Sequence, residues 1–234
     1  VLATCATREA TVDCGELYDL TKVAMSTLVG GVDPPSLATL VPATPAWAVR
    51  DVLAHVVGIT ADMNHRRFGL RAEAWTARQV DERRDSDPAT MIAEWDREAP
   101  AFEDGLRLFG YEMGSHYVAD LHAHLQDVRS ALDLGRADDD TTVRVALDFY
   151  LGSLDGTLRE ANASAVELVA GGEAHVVGDG EVGATVRADA FELLRVLSAR
   201  RSRAQIRALD WTGDVDAVLE QLGRYPFPDA DLND

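Results

Sequence analysis

The chain of 234 residues carries 22 basic and 40 acidic residues, a net charge of −18. So acidic a surface repels nucleic-acid phosphates and anionic membranes, and favours neutral or cationic small partners. Its 47% hydrophobic and 26% charged residues are ordinary for a globular protein of one large or two small domains, and no apolar run approaches the ~18 residues of a membrane span.

The start, VLATCATREA, has no basic region followed by an apolar run, so no signal peptide is read there. The first residue is not Met, and an upstream piece could be missing. Cys5 and Cys14 could pair but imply no disulfide framework, and a reducing cytoplasm is the simplest setting. There is no internal repeat and no long low-complexity tract.

From Asp13 to about Val29, Leu17, Leu20, Val23, Ala24 and Leu28 mark a first amphipathic helix, ended by the GGVDPP turn. SLATL, residues 36–40, reads as a short helical piece. Thr44 then caps a second long helix with Pro45 in its first turn, running to about residue 66. Val49, Val52, Val56, Ile59 and Met63 face a core, and His55 lies among them. Residues 69–87 read as a polar connection anchored by Trp75. Pro88 to about Leu108 is a third helix, with Met91, Ile92, Trp95, Ala99 and Phe102 inward.

The fourth helix, Ser115 to about Leu134, carries Val118, Leu121, Leu125, Val128 and Leu132 at helical spacing, with Gly135 as its stop. Asp120 and His124 are four residues apart on it. That spacing stacks a carboxylate and an imidazole on one face, one turn apart, where they can hold two positions of a divalent metal. The pair alone is also what any solvated helix face can show. Four amphipathic helices imply a four-helix bundle, whose sites are built from inward side chains of facing helices. His55 with Asp120 and His124 gives three candidate ligands and one open position, as in a catalytic zinc site. His65, His116 and His122 are rivals. His116 is one turn before Asp120, and His122 is expected to be exposed.

RADDDTT, residues 136–142, reads as an acidic linker and domain boundary, dividing 1–137 from 138–234. Residues 143–162 form a helix. AVELVA (165–170), AHVVG (174–178) and GDGEVGATVRA (178–188) read as strands of a small antiparallel sheet. A helix over 188–199, a short strand over 208–213 and a last helix over 215–222 complete a second, α+β domain. Arg195, Arg200, Arg201, Arg203 and Arg207 form a basic run suited to an acidic partner within the chain or to a substrate carboxylate. Trp47, Trp75, Trp95 and Trp211 read as core or interface anchors.

Four stretches together resemble the mycothiol-dependent maleylpyruvate isomerase family, whose bundle is DinB-like: PAWAVRDVLAHVVG (45–58), AWTARQVDERR (74–84), DLHAHLQDVRSALDLG (120–135) and FELLRVLSARRSRAQIRALDW (191–211). The last is similar to the family's sterol-carrier-like C-terminal domain. The resemblance implies a divalent metal, usually zinc, held by positions that fall on His55, Asp120 and His124. Two departures stand out. The family's isomerase carries Glu where this chain has the shorter Asp120, and often Cys-Pro-Gly-Trp where it has Thr44-Pro45-Ala46-Trp47.

The resemblance also implies mycothiol, a thiol cofactor with a sugar–inositol body. A free thiol has a pKa of about 8.5, and a zinc ion can deprotonate it. The expected enzyme activates that thiol on the metal for isomerisation or S-transfer on a small electrophile. His55, Asp120 and His124 would be its catalytic and metal residues. Gln126, Asp127 and Arg129 lie just past His124 and could orient ligands or cofactor; they fit a capped, solvated helix end equally well. Two other classes stay open: a small-molecule-binding or regulatory module on the same fold, and a metal-dependent hydrolase with Asp127 or His116 as base.

Overall fold

Asp13 opens the first helix, α1 (Cys14–Gly31): its carboxylate accepts the Glu16 N–H at 2.9 Å, satisfying an amide that has no partner inside the helix. The structure is a computed structural model that describes residues 12–68, 71–137, 139–222 and 226–234; Cys5 lies outside these. The chain divides into two units, Val1–Ala137 with Asp234, and Asp138–Asn233. The first is helical and the second α+β.

In the first unit α1 is followed by the short helix α2 (Pro34–Leu37) and a two-stranded antiparallel ribbon, β1 (Leu40–Val41) and β2 (Thr44–Ala48). The ribbon corrects the sequence reading there. Thr44 and Pro45 do not start the second long helix. That helix is α3 (Val49–Asn64), entered through Ala48, whose N–H is accepted by the Asp51 carboxylate at 3.0 Å. The supposed polar connection contains a ten-residue helix, α4 (Ala72–Asp81). Asp87 and Pro88 then start α5 (Pro88–Phe109) as cap and first residue, the order expected at an N-terminus.

A single residue separates α5 from α6 (Tyr111–Ala131). Gly110 ends one helix and caps the next at φ 84° and ψ −176°, a conformation essentially reserved for glycine. The bundle packs α1 against α5 and α6, and α3 against α4, α5 and α6. Met25, Leu53, Met91 and Trp95 are fully buried between them. Inside the core, Trp95 donates its indole N–H to Thr60 Oγ1 at 3.0 Å, and Tyr18 Oη lies 2.8 Å from the same oxygen. Helices α1 and α6 approach closely at Gly114, where an added Cβ would sit 2.4 Å from the Cβ of Cys14.

The second unit opens with α7 (Asp140–Ala161), capped by Asp139. Strands β3 (Ser164–Ala170), β4 (Glu173–Val177), β5 (Asp179–Ala188) and β6 (Asp210–Gly213) form one sheet in the order β4-β3-β5-β6. The sheet is mixed, not antiparallel as expected: β3 and β5 run parallel. Parallel neighbours usually need a long crossover, but here the chain rounds the start of β3 through Gly178 alone. Gly178 has φ 81°, its N–H is accepted by Asp155 at 2.8 Å, and a Cβ there would lie 3.1 Å from Leu158. Helix α8 (Ala190–Leu197) buries Phe191, Leu193, Leu194 and Leu197. The short helix α9 (Arg203–Arg207) and the final helix α10 (Val215–Gln221) flank β6. Within the basic run, Arg201 pairs with Glu192 and Arg207 with Asp216, both inside this unit. Among the described residues no helix is long and apolar enough to cross a membrane.

Candidate metal centre

Helix α3 is apolar nearly all round, and Val52, Leu53, Val56 and Val57 are buried along it. An imidazole at position 55 is therefore carried into the bundle with them, and His55 is 5% exposed. Across from it, α6 stacks Asp120 and His124 one turn apart. His124 is buried and Asp120 half-buried. The three residues offer one ligand atom each, all within 4.8 Å of one another. His124 Nε2 lies 3.9 Å from Asp120 Oδ1, and the two imidazole rings meet edge to face with centroids 5.0 Å apart. Trp47 of β2 lies against both, 4.8 Å from the His55 ring and 6.4 Å from that of His124. The anchor role read for Trp47 thus falls beside the cluster.

The donor set fits a divalent ion. Two imidazoles and one carboxylate match catalytic zinc, and donors about 2.0–2.2 Å from a shared ion stand closer together than these by only a small movement. The rings are also oriented for it. His55 Nδ1 is 2.8 Å from Gln79 Oε1, and Gln79 Nε2 donates to Asp62 Oδ2 at 3.0 Å. Gln79 and Asp62 are both fully buried. Turning the amide over would set acceptor against acceptor at Asp62, at about 1–3 kcal/mol for each buried group left without its bond. His124 Nδ1 faces the fully buried carboxylate of Asp127 at 3.6 Å. Each imidazole thus turns one nitrogen to a group behind it and the other towards the cluster.

The remaining candidates fall elsewhere. His65 is exposed and pairs with Glu98, and His116 stacks on Tyr117. Neither joins the cluster. His122, expected in solvent, is 2% exposed, its Nε2 lying 2.7 Å from the Ala137 carbonyl. The chain doubles back over the end of α6 and covers it. Gln126 takes part in that closure, accepting the Ala137 N–H at 2.6 Å and donating to Ser130 Oγ at 3.1 Å. Arg129 donates to the carbonyls of Leu134 and Gly135. Of the three residues read as orienting the cofactor, only Asp127 is brought to the cluster, beside His124. Tyr117, one turn before Asp120, donates to Met63 Sδ at 3.0 Å; burial and then the Asp120 charge push its pKa up to about 12.

Sequence reasoning missed Gln79, Asp62 and Arg78. The one available signal was Asp62 itself, an acidic residue seven places after His55 on the same buried stripe of α3.

Residues 20–121 match the family model described as the mycothiol maleylpyruvate isomerase N-terminal domain, a span that includes His55 and Asp120 and stops short of His124. A crystal structure of the mycothiol-dependent maleylpyruvate isomerase superposes with a TM-score of 0.54 at 15% identity, covering 86% of this chain and 93% of that one. A histidine-to-alanine mutant of that isomerase gives 0.53 at 14% identity, with the same coverage, 86% and 93%. No curated protein matches the chain. At such identity the superpositions establish shared fold over both units. Over residues 20–121 the chain is thus similar to the mycothiol maleylpyruvate isomerase N-terminal domain, and it carries the fold of the mycothiol-dependent maleylpyruvate isomerase.

Proposed function

We propose that residues 1–137 form a metal-binding domain in which His55, Asp120 and His124 hold one divalent ion, zinc before others. Residues 138–234 form its α+β companion. The protein is a mycothiol-using enzyme that acts on a small electrophile by isomerisation or S-transfer. The observation that carries this reading is the convergence of three donors from two helices to within 4.8 Å. The family-model match over residues 20–121 and the shared fold support it. A reducing compartment such as the cytoplasm keeps such a thiol available.

A divalent ion held by His55, Asp120 and His124 would supply Lewis acidity that lowers the pKa of a thiol from about 8.5 and so would favour its nucleophilic form at neutral pH. The chain's own residues do the rest by orientation. His55 and His124 supply neutral nitrogens, and Asp120 supplies one negative charge from the more open side. Gln79 and Asp127 stand behind the two rings and limit their rotation. Trp47 covers one side of both rings with apolar surface, which keeps water from that side of the site.

Elemental analysis of purified protein, followed by calorimetric titration of the metal-loaded protein with mycothiol, tests this. One ion per chain and metal-dependent mycothiol binding are expected. Mass spectrometry should then show adducts or isomers from a panel of small electrophiles. A metal-loaded protein that does not bind mycothiol at millimolar concentration overturns the enzyme reading and favours a binding module.

A further inference from the structure

A glutamine and an aspartate outside the ligand set determine which nitrogen of His55 can bind. The chain of contacts starts at Asp62, fully buried on α3. Its carboxylate is held by two arginines, Arg67 Nε at 2.8 Å and an Arg78 terminal nitrogen at 2.8 Å. Arg67 is itself paired with Glu82. A carboxylate so engaged only accepts hydrogen bonds. The Gln79 amide, 3.0 Å away, must therefore turn its NH2 end to Asp62. Its oxygen then faces His55 Nδ1 at 2.8 Å. An amide oxygen also only accepts, so Nδ1 carries the proton. A neutral imidazole has one N–H, which leaves the lone pair on Nε2.

We propose that Gln79, with its amide oriented by Asp62, is a positioning residue that holds His55 in the Nδ1–H form and presents Nε2 to the Asp120–His124 pair. This rests on the metal-site reading above. It goes further in assigning the tautomer to two residues on α3 and α4 and in placing it in the protein before any ion arrives. In water a free neutral histidine favours the opposite tautomer, so the preference has to be imposed.

A second observation, independent of the hydrogen bonds, points the same way. Gly58 lies between His55 and Asp62 on the same stripe of α3, in mid-helix, where glycine is unfavourable. A Cβ at Gly58 would lie 2.5 Å from Gln79 Cβ and 2.7 Å from its Cγ. The missing side chain is the gap through which Gln79 crosses α3 to touch both His55 and Asp62. Arg83 lies behind it, its guanidinium donating to the Gln79 main-chain carbonyl at 3.1 Å and pairing with Glu94.

The test uses the whole chain, with and without metal. Long-range proton–nitrogen NMR on metal-free protein reads the His55 tautomer directly. Competition with a chelator reads zinc affinity. Wild type should show Nδ1–H. Gln79→Leu should return His55 towards the Nε2–H form and weaken zinc binding about 10–100-fold. The double exchange Gln79→Glu with Asp62→Asn keeps an acceptor facing His55 and a donor facing residue 79, so it should restore both. It also carries the test should Gln79→Leu fail to fold. An Nε2–H tautomer in metal-free wild type or in the folded double exchange, or unchanged zinc affinity in Gln79→Leu, overturns the inference. Wild-type protein that binds no zinc overturns the metal-site reading instead, and the tautomer measured without metal separates the two.

Discussion

His124 Nδ1 lies 3.6 Å from Asp127 Oδ2, less than one turn further along α6, and Asp127 is fully buried. A carboxylate behind a ligating imidazole raises its basicity and fixes its rotation. Asp127→Asn should keep the fold and weaken metal binding about tenfold, measured by chelator competition. His124→Ala should lose the ion altogether at small cost in stability. If elemental analysis found one ion per chain in that variant, the ion would have to be held somewhere other than this cluster.

Trp47 offers an optical reading of the same site. Its ring centroid is 4.8 Å from that of His55, whereas Trp95 is enclosed in the bundle core. Cobalt added to metal-free protein should quench part of the tryptophan fluorescence. Trp47→Phe should remove most of that response while leaving cobalt binding in place, as followed by absorption. Full quenching in the Phe variant would separate Trp47 from the ion.

Thr60 carries a buried polar knot. Its hydroxyl meets Tyr18 Oη at 2.8 Å and the Trp95 indole at 3.0 Å, and burial raises the Tyr18 pKa above its usual range. Thr60→Val removes the shared oxygen with almost no change in volume. Tyr18 and Trp95 can still reach one another at 3.3 Å, so the cost should be about 1–2 kcal/mol in denaturant unfolding. A neutral result would mean that the knot contributes no net stability.

Helix caps set the acid limb of stability. The Glu16 amide, with Arg107, holds the Asp13 carboxyl below its ordinary value, and the Thr90 amide does the same for Asp87. A depressed carboxylate stabilises the fold above its unfolded pKa, about 3.9, and that contribution disappears as pH falls through the lower folded value. The melting temperature should therefore drop as pH falls from about 5 to 2. Asp13→Asn with Asp87→Asn keeps the cap acceptors without their charge and should flatten the slope. An unchanged slope would assign the acid sensitivity to other carboxylates.

The long helices were legible because their buried faces are apolar: Leu17 and Met25 on α1, Val52 and Val56 on α3, Met91 and Trp95 on α5, Val118 and Leu121 on α6. His55, Asp120 and His124 could be nominated because two lie one turn apart and the third interrupts an apolar stripe. Helix α4 was not legible for the complementary reason. Its buried side is polar, with Gln79 turned into the bundle and Arg83 just beyond its end, and hydrophobic periodicity cannot detect a face that seals through hydrogen bonds. The β2 ribbon imitates a helix start, since Thr-Pro suits either. The parallel pairing of β3 and β5 was hidden because it depends on Gly178 fitting beside Leu158, a contact between distant residues. His122 looked exposed from its place on the helix, and only the returning chain at Ala137 covers it.

Helix α6 is fixed at two places along its length, by Gly114 against Cys14 and by Asp120 and His124 against His55. One residue inserted between them would turn one end by about 100° relative to the other. Either Asp120 and His124 would swing away from His55, or a side chain would be driven into α1. The six steps from Gly114 to Asp120 therefore act as a phase setting. Within that interval the count of residues is part of the site.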